Sequence, residues 1–304
     1  MEKAEKIWMN GQLIPCDEAR VHVLTHALHY GTGVFEGIKC YETVKGPAIF
    51  RLKEHMQRLL NSAKIYQMPV SYSVDELCAA AKETVKINGL NSCYIRPIAF
   101  YGYGEMGVNP RKNKVDVSII VWKWGAYLGE EGIEKGIRVM ISSWQRIDSR
   151  SLPTHAKATA NYANSVLAKL EALDLGFDEA IMLNSHGNLC EGSGENLFII
   201  KDGVLITPPP GAGALPGITR GSAMAVARDL GIPIEMRDVL REELMLADEA
   251  FFTGTAAEVT PIREVDGRAI GNNGRGEITE KIQSKFFDIV NGKDEKYFHW
   301  LDFI

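Results

Sequence analysis

The 304-residue chain has no uninterrupted apolar run approaching the roughly 18 residues that a membrane-spanning helix requires. It has no cluster of lysine and arginine, and a net charge of -5 gives nucleic acid no electrostatic footprint to bind. Its five cysteines, Cys16, Cys40, Cys78, Cys93 and Cys190, are odd in number and contain no C-x-x-C pair. That excludes an obvious disulfide framework and favours a reducing compartment. The opening Met1-Glu2-Lys3-Ala4-Glu5-Lys6 lacks the apolar core of a secretory signal, so the expectation is a cytoplasmic protein. No G-x-S-x-G nucleophile elbow, internal repeat or low-complexity segment is present.

Two motifs match a known pattern without its context. Gly102-Tyr103-Gly104-Glu105-Met106-Gly107 reads as G-x-G-x-x-G, but Val108-Asn109-Pro110 follows, and a proline there does not let a helix open on the third glycine. His22, His26 and His29 have helical ligand spacing. They alternate with β-branched Val21, Val23 and Thr25, and a strand would turn His29 away from the other two, so no metal site is expected.

What the chain does have is an ordinary globular composition, 45% apolar and 24% charged, and length for about two domains. Leu52, Met56, Leu59, Leu60 and Ala63 mark a helix over 51–67. Asp75 is placed to cap a second helix that stops at Asn88-Gly89. Strands are expected at 93–100, 115–124, 137–144, 179–183, 196–201, 204–207 and 250–253, and helices at 161–175, 219–230 and 278–290. The glycine-rich stretch 125–136 reads as an interdomain loop. The expected fold class is α/β, or α+β, with a smaller domain at 1–124 and a larger one at 137–304.

Lys157 is the most distinctive residue. It lies in His155-Ala156-Lys157-Ala158-Thr159-Ala160-Asn161-Tyr162, just before a helix, and Arg150 is the only other lysine or arginine within ten residues. Downstream, Glu191 sits in a strand-like run interrupted by Gly192 and Gly194, where a carboxylate needs a cationic partner. A lone lysine, a nearby tyrosine and such a carboxylate suit pyridoxal phosphate: Lys157 for the covalent attachment, Glu191 for the pyridinium nitrogen, Tyr162 for the phenolic oxygen. Leu215-Pro216-Gly217-Ile218-Thr219-Arg220 opens a helix whose Ile218 and Thr219 amides suit a phosphate. Thr255, in the small-residue turn after Phe251-Phe252-Thr253-Gly254, and Arg58 on the first helix are further anion donors.

The residues then resemble the branched-chain amino-acid aminotransferases of the fold type IV, D-amino-acid aminotransferase-like group. The resemblance runs nearly end to end. It is carried by His29 to Ile38, Gly107-Val108-Asn109-Pro110, Lys157 with Asn161-Tyr162, Glu191 to Asn196, Leu215 to Arg220 and Gly254 to Thr260. It implies pyridoxal 5'-phosphate as cofactor, with Lys157 shuttling the proton and Arg58, Ile218, Thr219 and Thr255 on the phosphate. It implies that Tyr94, with the backbone at Thr255-Ala256, takes the substrate α-carboxylate, and that Gly37 borders the substrate. Tyr30, Phe35, Trp124 and Tyr127 would wall an apolar pocket, and Arg96 would meet the second carboxylate of glutamate. Tyr94-Ile95-Arg96 is similar to the Tyr-x-Arg signature of the branched-chain enzymes, where D-amino-acid aminotransferases carry Arg-x-His. Lys39 departs from the arginine that many relatives have. The implied reaction exchanges the amino group between L-leucine, L-isoleucine or L-valine and 2-oxoglutarate, in a homodimer or larger homo-oligomer. A D-amino-acid aminotransferase and an aminodeoxychorismate lyase on the same fold are the alternatives.

Overall fold

A computed structural model describes residues 2–125 and 128–304, so the expectation for Tyr127 lies outside the described residues. Two compact units make up the chain. The first takes the residues up to Trp124 together with Ala156–Ala160 and Ile289–Ile304; the second takes Gly125–His155 and Asn161–Asp288. The expected boundary near 124 therefore matches the end of a long segment. The lysine-bearing stretch and the C-terminal residues, expected in the second domain, cluster with the first unit.

In the first unit the strands are β1 (Glu2–Lys3), β2 (Lys6–Met9), β3 (Gln12–Pro15), β4 (Gly33–Phe35), β5 (Ile38–Thr43), β6 (Gly46–Phe50), β7 (Cys93–Tyr101) and β8 (Val115–Lys123). With Leu301–Phe303 they form one antiparallel sheet, in the order 301–303, β6, β5, β7, β8, β2, β3, with β1 beside β8 and β4 beside β7. Helices α1 (His26–Tyr30), α2 (Leu52–Ile65) and α3 (Val74–Ile87) accompany it. Leu52, Met56, Leu59 and Ala63 of α2 and Leu77, Ala81 and Val85 of α3 are buried against Ile38, Cys40, Ile49, Ile95 and Val121 of the strands. That is the 3.6-residue stripe closing on alternating strand residues. The cap of α3 is Ser73, not Asp75. The Ser73 hydroxyl accepts the Glu76 N–H, and the Glu76 carboxylate accepts the Ser73 N–H at 2.7 Å, a reciprocal pair that Asp75 could not make.

The second unit runs α4 (Glu130–Lys135), β9 (Ile137–Ile141), α5 (Asn161–Asp174), β10 (Glu179–Leu183), β11 (Leu189–Gly192), β12 (Asn196–Lys201), β13 (Val204–Thr207), α6 (Ile218–Asp229), β14 (Ile234–Met236), α7 (Arg241–Met245), β15 (Glu249–Gly254), β16 (Glu258–Val265), β17 (Arg268–Ala269) and α8 (Glu277–Val290). Its mixed sheet follows β11, β10, β9, β16, β15, β12, β13, β14, and β11 also pairs β12, so the path closes on itself. Ile137, Val139, Ile181, Leu197, Ile199, Phe252 and Ile262 lie in a buried cluster of this unit. The expected loop 125–136 contains α4. Gly129 and Gly136, at φ 79° and 85°, bracket it, and Lys135 Nζ lies 3.1 Å from Glu131 Oε1 one turn back. Four glycines in twelve residues hid its short periodicity.

Candidate active site

The stretch around Lys157 is held on β4. The Phe35 N–H donates to the Lys157 carbonyl at 2.9 Å, the Thr159 N–H to the Gly33 carbonyl at 2.9 Å, and the Lys157 N–H to the Ser62 hydroxyl at 3.1 Å. Lys157 Nζ stands 5.1 Å from the centre of the Phe35 ring. This anchoring explains why 156–160 belongs with the first unit although 161 onward does not.

Phe35 begins a chain of contacts across the sheet. The Arg96 guanidinium lies 4.7 Å from the Phe35 ring, 5.3 Å from Tyr94 and 5.7 Å from Trp122, and its Nη2 donates to the Tyr94 hydroxyl at 3.3 Å. Tyr94 packs on Trp122 at 4.9 Å and on Trp124 at 4.7 Å. Tyr94 and Arg96 are two apart on β7 and so share a face; Trp122 of β8 is the register partner of Tyr94, and Trp124 lies just past the end of that strand. Trp122 was missed by the sequence reading, although that same alternation could have found it. Gly37 is glycine because a Cβ there would lie 1.9 Å from the Tyr94 hydroxyl. Tyr30 is 40% exposed and stacks on His26 with ring centres 4.5 Å apart.

Arg58 does not lie open to solvent. It grips Glu36 with both arms, Nε to Oε1 at 2.6 Å and Nη2 to Oε2 at 2.8 Å, and His55 Nδ1 reaches Oε2 at 2.7 Å. Burial alone would raise the Glu36 carboxyl; the guanidinium and imidazole overcome this and hold it well below the usual carboxylate range. Burial keeps His55 below its ordinary value, so the Glu36 carboxylate accepts a hydrogen bond from the Nδ1–H of a neutral ring. Glu36 and His55 were not foreseen. Their signal is a glutamate in an apolar run beside a histidine on the buried stripe of α2.

In the second unit Glu191, at the end of β11, is buried among polar partners. Arg146 Nε is 2.9 Å from Oε1, while the Leu215 N–H at 3.0 Å and the Asn196 amide at 3.2 Å serve Oε2. The cationic partner that the sequence demanded is thus supplied in part by Arg146, itself buried and unforeseen. Leu215 leads into α6, where Gly217 provides no capping side chain and the first turn has no acidic residue. Thr219 is buried and Ile218 half-buried in that turn. Such a helix start attracts anions. Tyr162 is in the first turn of α5, and Thr255 and Ala256 form the tight turn between β15 and β16. Of the three histidines, His26 bridges the Thr32 hydroxyl and the Gly107 carbonyl, both at 2.7 Å.

Each unit, taken by itself, carries donor types that suit pyridoxal phosphate. The first unit presents an amine and a guanidinium; the second presents a buried carboxylate, an uncapped helix start and a threonine turn. Residues 33–265 match the amino-transferase class IV family. The chain is 51% identical over 302 residues to the branched-chain-amino-acid aminotransferase of Escherichia coli, covering 99% of this chain and 98% of that one. It is 51% identical over 294 residues to that of Pseudomonas aeruginosa, covering 97% and 95%. The crystal structure of the Escherichia coli enzyme superposes with a TM-score of 0.97 at 51% identity, covering 99% of each chain. That of Thermoproteus uzoniensis with norvaline gives 0.94 at 47% identity over 98% of each. The PLP form of the Thermobaculum terrenum enzyme gives 0.93 at 36%, over 99% of this chain and 98% of that one.

Proposed function

Because the chain belongs to the class IV aminotransferases, we propose that it moves the amino group of L-leucine, L-isoleucine or L-valine to 2-oxoglutarate, giving the branched 2-oxo acid and L-glutamate. The observation that carries this reading is that Lys157 and Arg96 both lie against the Phe35 ring, at 5.1 and 4.7 Å from its centre. An amine and a guanidinium beside one apolar ring support a site that handles both an apolar side chain and a carboxylate.

Pyridoxal phosphate, when bound, withdraws electrons from the substrate α-carbon and so makes the α-proton removable. The residues of the chain do the rest. Lys157 Nζ takes that proton and returns it during the exchange. The Glu191 carboxylate, backed by Arg146, would hold the pyridine nitrogen, and the Tyr162 hydroxyl would hold the phenolic oxygen. On the phosphate, Arg58, steadied by Glu36, would supply a cation, and the Ile218 and Thr219 amides and the Thr255 hydroxyl would supply neutral donors. The Tyr94 hydroxyl and the backbone at Thr255-Ala256 take the α-carboxylate. Phe35, Trp124 and Tyr30 favour the branched side chain, with Gly37 leaving room beside Tyr94. The buried Nε of Arg96 has no hydrogen-bond partner among the described residues, so the guanidinium can receive the second carboxylate of glutamate.

Arg96→Leu tests the dual specificity. We expect kcat/KM for L-glutamate to fall by about tenfold or more, from loss of a charge-assisted pair, and to fall much less for L-leucine. Equal losses for both donors would remove Arg96 from this role.

The same reading includes a homo-oligomer. Val23 is 71% exposed, Leu28 63% and Val108 88%. The Thr25–Tyr103 bridge and the bond of His26 to Gly107 join their two loops into one apolar patch. Val108→Asp should lower the mass seen by light scattering, and an unchanged mass would place the subunit contact elsewhere. No helix among the described residues is long and apolar enough to cross a membrane, and the five free cysteines suit the cytoplasm.

A further inference from the structure

Glu195 is buried, 5% exposed, and the mechanism above gives it no task. It lies between β11 and β12, on the face of the sheet opposite Glu191. The register aligns Glu191 with Asn196 and Asn196 with Thr253, so these three form a row on one face. Their neighbours Gly192, Glu195 and Gly254 form the row behind. Here the Gly192 N–H donates to the Glu195 carbonyl at 2.7 Å, and the Gly194 N–H to the Glu195 carboxyl at 3.0 Å.

Gly192 leaves space that the Glu195 side chain fills, and Gly254 packs against the same side chain. A Cβ on Gly192 would lie 2.7 Å from Glu195 Oε2, and one on Gly254 would lie 3.6 Å from Glu195 Cγ. Gly192 follows Glu191, and Gly254 precedes Thr255. Resting on the proposed roles of those two residues, we propose that Glu195 is a positioning residue, wedged against Gly192 and Gly254, that fixes where Glu191 and Thr255 are presented to the cofactor.

Its protonation state follows from its surroundings. Burial first, then the charge of Glu179 on β10, push the Glu195 carboxyl up to about 8. Lys169 of α5 opposes this but is bonded to Glu179 at 2.7 Å, and Glu191 of β11 adds to the push while paired with Arg146. Glu195 is therefore a neutral acid at pH 7, close in shape and charge to glutamine. Above about pH 8 it gains a negative charge behind the turn that would hold the phosphate.

The test is cofactor affinity of the full-length chain, measured by titrating the apoprotein with pyridoxal phosphate between pH 6.5 and 9.5, for wild type, Glu195→Ala and Glu195→Gln. The alanine variant, which empties the wedge and strands the Gly194 N–H, should bind about tenfold more weakly or worse. The glutamine variant should bind within about threefold of wild type at pH 7 and more tightly than wild type above pH 8. Thermal stability supplies a second reading. The wild-type carboxyl holds its proton to higher pH when folded than the ordinary value of 4.5, so wild type loses stability relative to the glutamine variant as pH rises from about 5 to 8. If the alanine variant does not fold, the comparison of glutamine with wild type decides. Equal affinity of all folded variants at every pH overturns the role of Glu195. Failure of wild type to bind pyridoxal phosphate at all falls instead on the proposed activity.

Discussion

Lys157→Ala is expected to lower kcat for transamination by about four orders of magnitude or more, the upper range for losing a positioned acid–base group that also forms the covalent attachment. The variant should still fold. The bonds that fix this stretch, from Phe35 and Thr159 and to Ser62, are made by backbone groups or by other side chains, and alanine keeps them all. The other residues proposed for the cofactor remain, so the variant should retain it without a covalent bond. A single-turnover assay with L-leucine separates the two contributions: binding persists while the 2-oxo acid does not appear. Turnover within tenfold of wild type would remove Lys157 from the reaction.

The second large effect is expected at Glu191. Glu191→Gln keeps the shape and can still accept the Leu215 N–H, but it leaves the buried Arg146 without its counter-charge and gives the pyridine nitrogen no anion. We expect kcat to fall by about 100- to 1,000-fold, the scale for removing one charge-stabilising group from a preorganised site. Glu191→Ala should add a stability loss of about 3–5 kcal/mol, because a buried ion whose partner is removed keeps its desolvation cost. Calorimetry of both variants distinguishes the effects: the glutamine variant should lose more activity than stability. Unchanged kcat in the glutamine variant would mean that the carboxylate serves only to pair Arg146.

Most residues proposed for this site stand out in the sequence because the chemistry proposed for them needs rare residues in unusual surroundings. A solitary lysine before a helix, a glutamate just ahead of two glycines in a strand-like run and a proline–glycine helix entry each carry a local physical signature. The α/β class was legible for the same reason: the helical stripe of 52–63 and the runs at 93–101 and 196–201 have unambiguous periods, and the match to fold type IV aminotransferase structures bears the class out.

The rest depended on neighbours far apart in the chain. Arg146 is 45 positions from Glu191, and Glu36 is 22 from Arg58, so nothing local shows that either pair is buried together. The pairing of 156–160 with β4 is equally non-local, which is why a boundary drawn along the sequence placed Lys157 in the other unit. The capping error at α3 had a different origin. Both Ser73 and Asp75 are good caps, and only the reciprocal bond to Glu76 selects the first.

The central claim, an L-specific exchange on branched substrates, is tested most directly by the visible absorbance of the cofactor-loaded full-length protein mixed with a single amino acid and no acceptor. The account predicts that L-leucine removes the absorbance band, that 2-oxoglutarate restores it, and that D-alanine leaves it unchanged. Loss of the band with D-alanine and not with L-leucine would contradict it.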